Sequence, residues 1–167
     1  MELAPESSRE VAMVPLSALY GAAITPPKMV DATYGLAKMI IEENVPGDFV
    51  ECGVYAGAHI GAMARAIADA GASGRKIHLF DSFEGIPMSS PEDKDWTAGD
   101  PHLRRNGPSN VTSGISACPL SAVQQNMKNW GVPEDMLVYH PGWFQDTVPI
   151  ADISSIALLR LDGDLYE

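Results

Sequence analysis

Short apolar segments alternate with helical segments along this chain, and this order constrains the fold more than any other feature. Four segments have the length and apolar character of buried strands: DFVECGV, KIHLFD, MLVYH and IALLRLD. Three have helical periodicity: TPPKMVDATYGLAKMIIEENVPG, YAGAHIGAMARAIADAGASG and PLSAVQQNMKNWG. Because parallel neighbouring strands need a crossover connection, the alternation predicts an α/β domain with an open, mostly parallel sheet.

The first helical segment marks the expected start of that domain. Thr25 is predicted to cap the helix, and Pro26 suits the first turn. Five apolar residues fall on one helical face: Val30, Tyr34, Ala37, Ile40 and Ile41. Residues 1–24 show little pattern and are interpreted as a mobile or lid-like N-terminal arm, with the domain over residues 25–167.

Composition excludes several classes of partner. The 167 residues carry a net charge of -11, which disfavours nucleic acid and anionic membrane surfaces. No apolar run reaches the roughly 18 residues of a spanning helix, and the N-terminus lacks a signal-peptide pattern. Cys52 lies in a strand pattern and is expected to be a buried thiol. These features predict a cytoplasmic protein.

Polar residues and glycines follow the first two predicted strands, where the ligands of parallel sheets bind. Gly53 and Gly57 sit between a strand and a helix, and Glu51 is a carboxylate that needs a partner if buried. Asp81 ends the second strand, a position that commonly holds a ribose diol. Together, these four residues favour a nucleoside ligand that carries an amine, such as S-adenosylmethionine. A tight turn and an ordinary cap formed by DSFEG are the alternatives.

The last segment, LRLDGDLYE, has the carboxylate pattern of a hard-cation site. Side chains two apart on an extended segment point the same way, so Asp162 and Asp164 could converge on one cavity. Arg160, their basic neighbour, is expected to point away. A turn with solvated aspartates is the alternative. Three histidines are interpreted as packing, loop or exposed residues: His59, His102 and His140.

Four segments together resemble one known family. VPGDFVECGVYAGA, DSFEGIP, PGWFQDTVP and LRLDGDLYE are similar, in order and spacing, to the macrocin O-methyltransferases. The resemblance implies a Rossmann-like class I methyltransferase fold. It also implies an S-adenosylmethionine- and Mg²⁺-dependent enzyme of macrolide biosynthesis or a related pathway, which methylates a sugar hydroxyl of a small glycosylated acceptor.

The resemblance also implies roles for individual residues. Three groups would line the cofactor: the methionine part by Glu51, Gly53 and Gly57, the ribose by Asp81, Ser82 and Phe83, and the adenine by Gly142 and Trp143. Asp162 would be a catalytic metal ligand, and Asp164 would be the general base.

Two departures from the family pattern generate further expectations. The loop from Met88 to Cys118 looks longer, which leaves the acceptor open. The chain also stops before the family's downstream Asp-Asp pair, so we expect only the first four strands of a seven-stranded sheet. The isolated chain should then transfer methyl groups inefficiently. It should also be poorly soluble, or should associate through its exposed fourth strand and so form a homo-oligomer. A catalytically silent cofactor-binding module is the alternative. A nicotinamide oxidoreductase is disfavoured because the G-x-G-x-x-G spacing is not met.

Overall fold

A parallel four-stranded sheet forms the centre of the computed structural model, which describes residues 12–88, 93 and 111–165. The strands are β1 (Asp48–Cys52), β2 (Ile77–Asp81), β3 (Leu137–Pro141) and β4 (Ile156–Leu161). They lie in the order β3-β2-β1-β4, and every neighbouring pair is parallel. The predicted parallel α/β sheet is therefore confirmed. The strand order reverses between β1 and β4, which is where ligands bind in open sheets of this kind.

Helices connect the strands. They are α1 (Pro27–Glu42), α2 (Ala58–Asp69), α3 (Leu120–Asn129) and the short α4 (Phe144–Thr147). Short 3-10 turns cover Leu16–Ala18, Tyr20–Ala22, Glu134–Met136 and Val148–Ile150. The sequence did not predict α4, because a four-residue helix is too short to show a period.

The start of α1 differs from the prediction. Pro27 is its first residue and Pro26 its N-cap, with no side-chain cap hydrogen bond. The Thr25 hydroxyl lies 2.9 Å from Nε2 of His59 instead, so the predicted cap is wrong. A proline at the first position has no N–H to satisfy, which lowers the need for a capping side chain.

The main core lies between the sheet and helices α1, α2 and α3. Nine of the twelve residues of α2 are buried, because its alanines and glycine allow neighbours to approach on several sides. A Cβ at Gly61 would lie 3.1 Å from atoms of Leu19 and of Trp130. On α1, Val30 and Ala37 are buried as predicted, together with Thr33.

Residues 12–24, part of the segment interpreted as a mobile or lid-like arm, contact the domain. Leu19 is 1% exposed. The Val14 N–H donates to the Trp130 carbonyl at 3.1 Å, and the Arg65 guanidinium donates to the Met13 and Val14 carbonyls. Burial of Leu19 and these main-chain contacts fix the segment. Residues 1–11 lie outside the described residues.

Strand β4 forms one edge of the sheet in the part of the chain that the structure describes. Three of its apolar side chains are exposed, as the sequence predicted: Ile156, Leu159 and Leu161. Cys52 is a buried free thiol, also as predicted. None of the described helices is long and apolar enough to cross a membrane.

The packing of α2 gives a first prediction. Ile67 is fully buried in the main core, so Ile67→Ala should lower the free energy of unfolding by about 2–5 kcal/mol. Leu36→Ala on α1 is the control, since that side chain is 48% exposed and should cost much less. Denaturant unfolding of both variants measures the difference, and equal losses would show that α2 is not part of the core.

Candidate functional site

Two adjoining cavities open where the carboxyl ends of β1, β2 and β4 meet. The smaller, of about 240 Å³, lies between β1, the start of α2 and residues 22–25. The larger, of about 360 Å³, lies between the end of β2 and the segment that leads into α4. Asp81, Ile86 and Asp162 line both cavities, so the two form one divided cleft.

An ion-pair chain crosses the floor of the smaller cavity. Nη1 of Arg160 lies 2.7 Å from Oε1 of Glu51, and its Nη2 lies 2.7 Å from Oδ2 of Asp162. Glu51 and Arg160 are register partners on β1 and β4, which places their side chains on the same face. The expectation that Arg160 points away from Asp162 is wrong, because residues two apart on a strand share a face.

Glu51 has one carboxylate oxygen without a partner. Its side chain is fully buried, and Oε2 makes no hydrogen bond within the described structure. Burial raises the pKa of Glu51 to about 8, and the Arg160 charge offsets this only in part. A buried polar atom without a partner is costly, so Oε2 is a position where a ligand donor would be favoured.

Asp81 binds the turn that follows β1. Its Oδ2 accepts from the N–H groups of Val54 and Tyr55 at 2.7 and 3.1 Å, and Oδ1 accepts from the Phe83 N–H at 2.7 Å. A carboxylate has about four acceptor positions, so these three bonds leave capacity for a ligand. Asp81 therefore has a structural role beside any binding role.

The two predicted glycines differ in what they face. Gly53 lines the smaller cavity with φ +87°, and a Cβ there would collide with the Asp162 carbonyl oxygen. Only glycine permits this approach between the ends of β1 and β4. Gly57, with φ +89°, is packed against the Met127 side chain and does not line the cavity.

The remaining predicted cofactor residues fall into two groups, those that line the larger cavity and one that does not. Ser82, Gly142 and Trp143 line the larger cavity together with Phe144. Phe83 does not, because its side chain is buried in the main core. Its contribution to the site is the backbone N–H that it donates to Asp81.

Asp162 and Asp164 both line the smaller cavity, as the sequence predicted. Asp164 has a φ of +60°, a conformation that costs energy outside glycine. Burial, followed by the nearby Asp162 charge, raises the pKa of Asp164. Across residues 12–88, 93 and 111–165, no group of three or more His, Cys, Asp or Glu side chains could hold a metal ion.

Sequence reasoning missed His59, which lines the smaller cavity. Its ring is 6% exposed, and each ring nitrogen contacts a threonine hydroxyl. Burial and then the Arg160 charge lower the pKa of His59 to about 4. The available signal was a histidine within an otherwise alanine- and isoleucine-rich helix, directly after the Gly57 turn. His140 stacks on Phe80 away from the cleft, and His102 lies outside the described residues.

The raised pKa of Glu51 predicts a pH-dependent stability. The folded protein binds the Glu51 proton more tightly than the unfolded chain, so this stabilisation is complete below the ordinary pKa of 4.5 and is lost as pH rises through about 8. The uncharged variant Glu51→Gln lacks the effect. Between pH 4.5 and 8, the wild type should therefore lose stability relative to Glu51→Gln, measured by denaturant unfolding without ligand. Parallel pH curves for the two proteins would contradict the assignment.

Comparison with known proteins identifies relatives over most of the chain. The macrocin-O-methyltransferase (TylF) family matches residues 18–167. The chain is 35% identical over 140 residues to the 8-demethyl-8-(2,3-dimethoxy-alpha-L-rhamnosyl)-tetracenomycin-C 4'-O-methyltransferase of Streptomyces olivaceus, covering 84% of this chain and 51% of the relative. It is 37% identical to the demethyldecarbamoylnovobiocin O-methyltransferase of Streptomyces niveus, covering 77% and 46%. The mycinamicin III 3''-O-methyltransferase of Micromonospora griseorubida is 33% identical, covering 75% and 48%.

Solved structures of two methyltransferases have a fold similar to that of this chain. The O-methyltransferase NovP superposes with a TM-score of 0.71 at 29% identity, covering 86% of this chain and 57% of NovP. The calicheamicin methyltransferase CalS11 shares the fold, with a TM-score of 0.56 at 21% identity over 99% of this chain and 76% of CalS11. The chain spans about half the length of the curated relatives it matches. The Rossmann-like methyltransferase fold is confirmed, and the chain belongs to the macrocin O-methyltransferase (TylF) family.

Proposed function

We propose that this chain forms the donor-binding part of an S-adenosylmethionine-dependent O-methyltransferase. The observation that carries the proposal is the buried, unpartnered Oε2 of Glu51 in the smaller cavity. Four carboxyl groups and one guanidinium line that cavity: Glu51, Asp81, Asp162, Asp164 and Arg160. Such a lining favours a cationic ligand, and S-adenosylmethionine carries both an ammonium and a sulfonium group.

The divided cleft supports a ligand with an amino-acid part and a nucleoside part. Glu51 would receive the ammonium group in the smaller cavity. Asp81, which lines both cavities, would accept from the ribose hydroxyls between them. The lining of the larger cavity includes the apolar side chains of Ile86, Trp143 and Phe144, which suit a flat base.

The proposed acceptor is a sugar hydroxyl of a glycosylated natural product. The names of three relatives specify O-methylation of a tetracenomycin that carries a rhamnosyl group, of demethyldecarbamoylnovobiocin and of mycinamicin III. These relatives support the proposed acceptor class.

The donor, when bound, supplies an electrophilic methyl group on a sulfonium sulfur. Asp164 would accept the proton of the acceptor hydroxyl, since burial and Asp162 raise its pKa and make it a stronger base. Arg160 holds Asp162 at the floor of the cleft. Packed side chains around the cleft would exclude water and hold the acceptor close to the donor.

We also propose that Asp162 holds Mg²⁺. This ion is commonly bound by one or two carboxylates and retained waters, which fits Asp162 with Asp164 nearby. One oxygen of Asp162 is bonded to Arg160. The ion would therefore use the other oxygen and would need ligands beyond this pair.

Donor binding is the first test of the proposal. Calorimetry on the full-length protein should detect S-adenosylmethionine binding, and Glu51→Gln should weaken it by about tenfold to a hundredfold because a charged hydrogen-bond partner is lost. Since the pKa of Glu51 is about 8 without ligand, binding of an ammonium group at pH 7 should release up to one proton. Buffers of different ionisation enthalpy measure that release.

Glu43→Gln is the matched control, because Glu43 is an exposed carboxylate at the end of α1 and should leave affinity and proton release unchanged. Absence of donor binding by a folded wild type would refute the proposed function. Wild-type proton release that persists in Glu51→Gln would refute the role of Glu51 while leaving the cofactor in place.

Metal dependence is tested separately. Asp162→Asn should weaken Mg²⁺ activation of methyl transfer by at least about tenfold, because a carboxylate ligand is replaced by a neutral amide. Asp146→Asn, on α4 and exposed, is the control. Equal activity in chelator and in Mg²⁺ would exclude the metal. Donor binding without any methyl transfer to glycosylated acceptors would support the alternative of a silent binding module.

A further inference from the structure

A buried hydrogen-bond relay runs from α1 through α2 to the rim of the smaller cavity. Nδ1 of His59 lies 2.8 Å from Oγ1 of Thr33, and Nε2 lies 2.9 Å from Oγ1 of Thr25. The Thr33 hydroxyl also lies 3.1 Å from the Met29 carbonyl oxygen. His59, on α2, therefore contacts both Thr25 and Thr33. These two threonines lie close together in the sequence, and His59 is 34 and 26 residues away from them.

The hydrogen positions in this relay are assigned by donor counting. A hydroxyl has one hydrogen, and we assign that of Thr33 to the Met29 carbonyl, which can only accept. With this assignment Thr33 accepts from Nδ1–H of His59. A neutral imidazole carries one N–H, so Nε2 is an acceptor and the Thr25 hydroxyl donates to it. The lowered pKa of His59, to about 4, agrees with a neutral ring.

The relay ends on a wall of the cavity. The smaller cavity is lined by residues 22–25 together with Glu51 and Gly53. Thr25 is followed by Pro26 and Pro27, neither of which has an N–H to donate. Within the part of the chain that the structure describes, the hydrogen bond of the Thr25 side chain is the one to His59.

We propose that His59 is a positioning residue that fixes residues 22–25, through Thr25, as a wall of the methyl-donor cavity. This inference rests on the proposed function of the cleft. His59 does not titrate or react in this role. Its ring supplies a rigid link of fixed polarity between α1 and the wall, so the cavity has its shape before the donor binds. Such preorganisation lowers the ordering cost of binding.

Thr25 provides the cleanest test, because replacing the buried His59 could prevent folding. Thr25→Val keeps the shape and removes the hydroxyl, which leaves Nε2 of His59 without a donor. We expect S-adenosylmethionine affinity of the full-length protein, measured by calorimetry, to fall by about fivefold to thirtyfold. Thr25→Ser restores the hydroxyl and should restore most of the affinity.

Tyr20→Phe is the matched control. It also removes a side-chain hydrogen bond between the N-terminal segment and α1, from the Tyr20 hydroxyl to Asp31, but Tyr20 does not line the cavity. Its affinity should match the wild type. A general loss of stability would weaken binding in both variants, and thermal unfolding of each separates that effect from a loss specific to Thr25→Val.

The relay has a second readout that needs no ligand. Imidazole nitrogen NMR shifts should show His59 as the Nδ1–H tautomer, which is the less common form in water, and neutral between pH 5 and 8. An Nε2–H tautomer would overturn the relay. A folded Thr25→Val that binds the donor as tightly as wild type would overturn the positioning role alone, whereas a wild type that binds no donor would overturn the proposed function and this inference together.

Discussion

The ion pair between Glu51 and Arg160 is the interaction on which the site depends. Glu51 is fully buried, and an isolated carboxylate there would be very costly without a partner. Arg160 supplies that partner from the neighbouring strand, at 2.7 Å. Where Glu51 is charged, above a pH of about 8, removing one member of such a buried pair typically costs about 3–5 kcal/mol, because the other charge is left uncompensated. The pairing also fixes β4 beside β1 in one register, since a one-residue shift would move Arg160 to the opposite face of the sheet.

Arg160 satisfies only part of the negative charge that it faces. Its two terminal nitrogens contact Glu51 and Asp162, while Asp81 and Asp164 line the same cavity. Burial, together with the charges of Asp162 and Asp81, holds the pKa of Glu51 at about 8 in spite of the ion pair. The cavity at the carboxyl ends of β1 and β4 therefore has more carboxyl groups than the single guanidinium can pair, and a cationic ligand would pair with the remainder. The strain at Asp164 and the close approach at Gly53 occur at the same place, as expected for a binding site.

The sequence predicted the features that depend on local pattern. All four strands, the three longer helices and the grouping of Glu51, Asp81 and Asp162 at strand ends follow from periodicity and the parallel-sheet rule. The direction of Arg160 was misjudged although a local rule, strand alternation, determines it. Features that depend on contacts distant in sequence were missed, because the Thr25 hydroxyl bonds a histidine 34 residues away instead of its own helix. Phe83 and Gly57 were predicted to line the cofactor, but Phe83 is buried in the main core and Gly57 is packed against Met127, which only the tertiary structure reveals.

Two different kinds of interaction shape the smaller cavity, and they respond differently to pH. Its floor is an ion-pair chain in which Glu51 has a pKa near 8, so the charge of the floor changes within the physiological range. Its wall is held, in our proposal, by the His59 relay, where burial lowers the pKa of the ring to about 4 and keeps it neutral. The floor can therefore gain or lose a proton as a ligand arrives, while the wall keeps one geometry. A cation that neutralises the floor would find the rest of the cavity already formed, which is the condition under which electrostatic attraction is converted most fully into affinity.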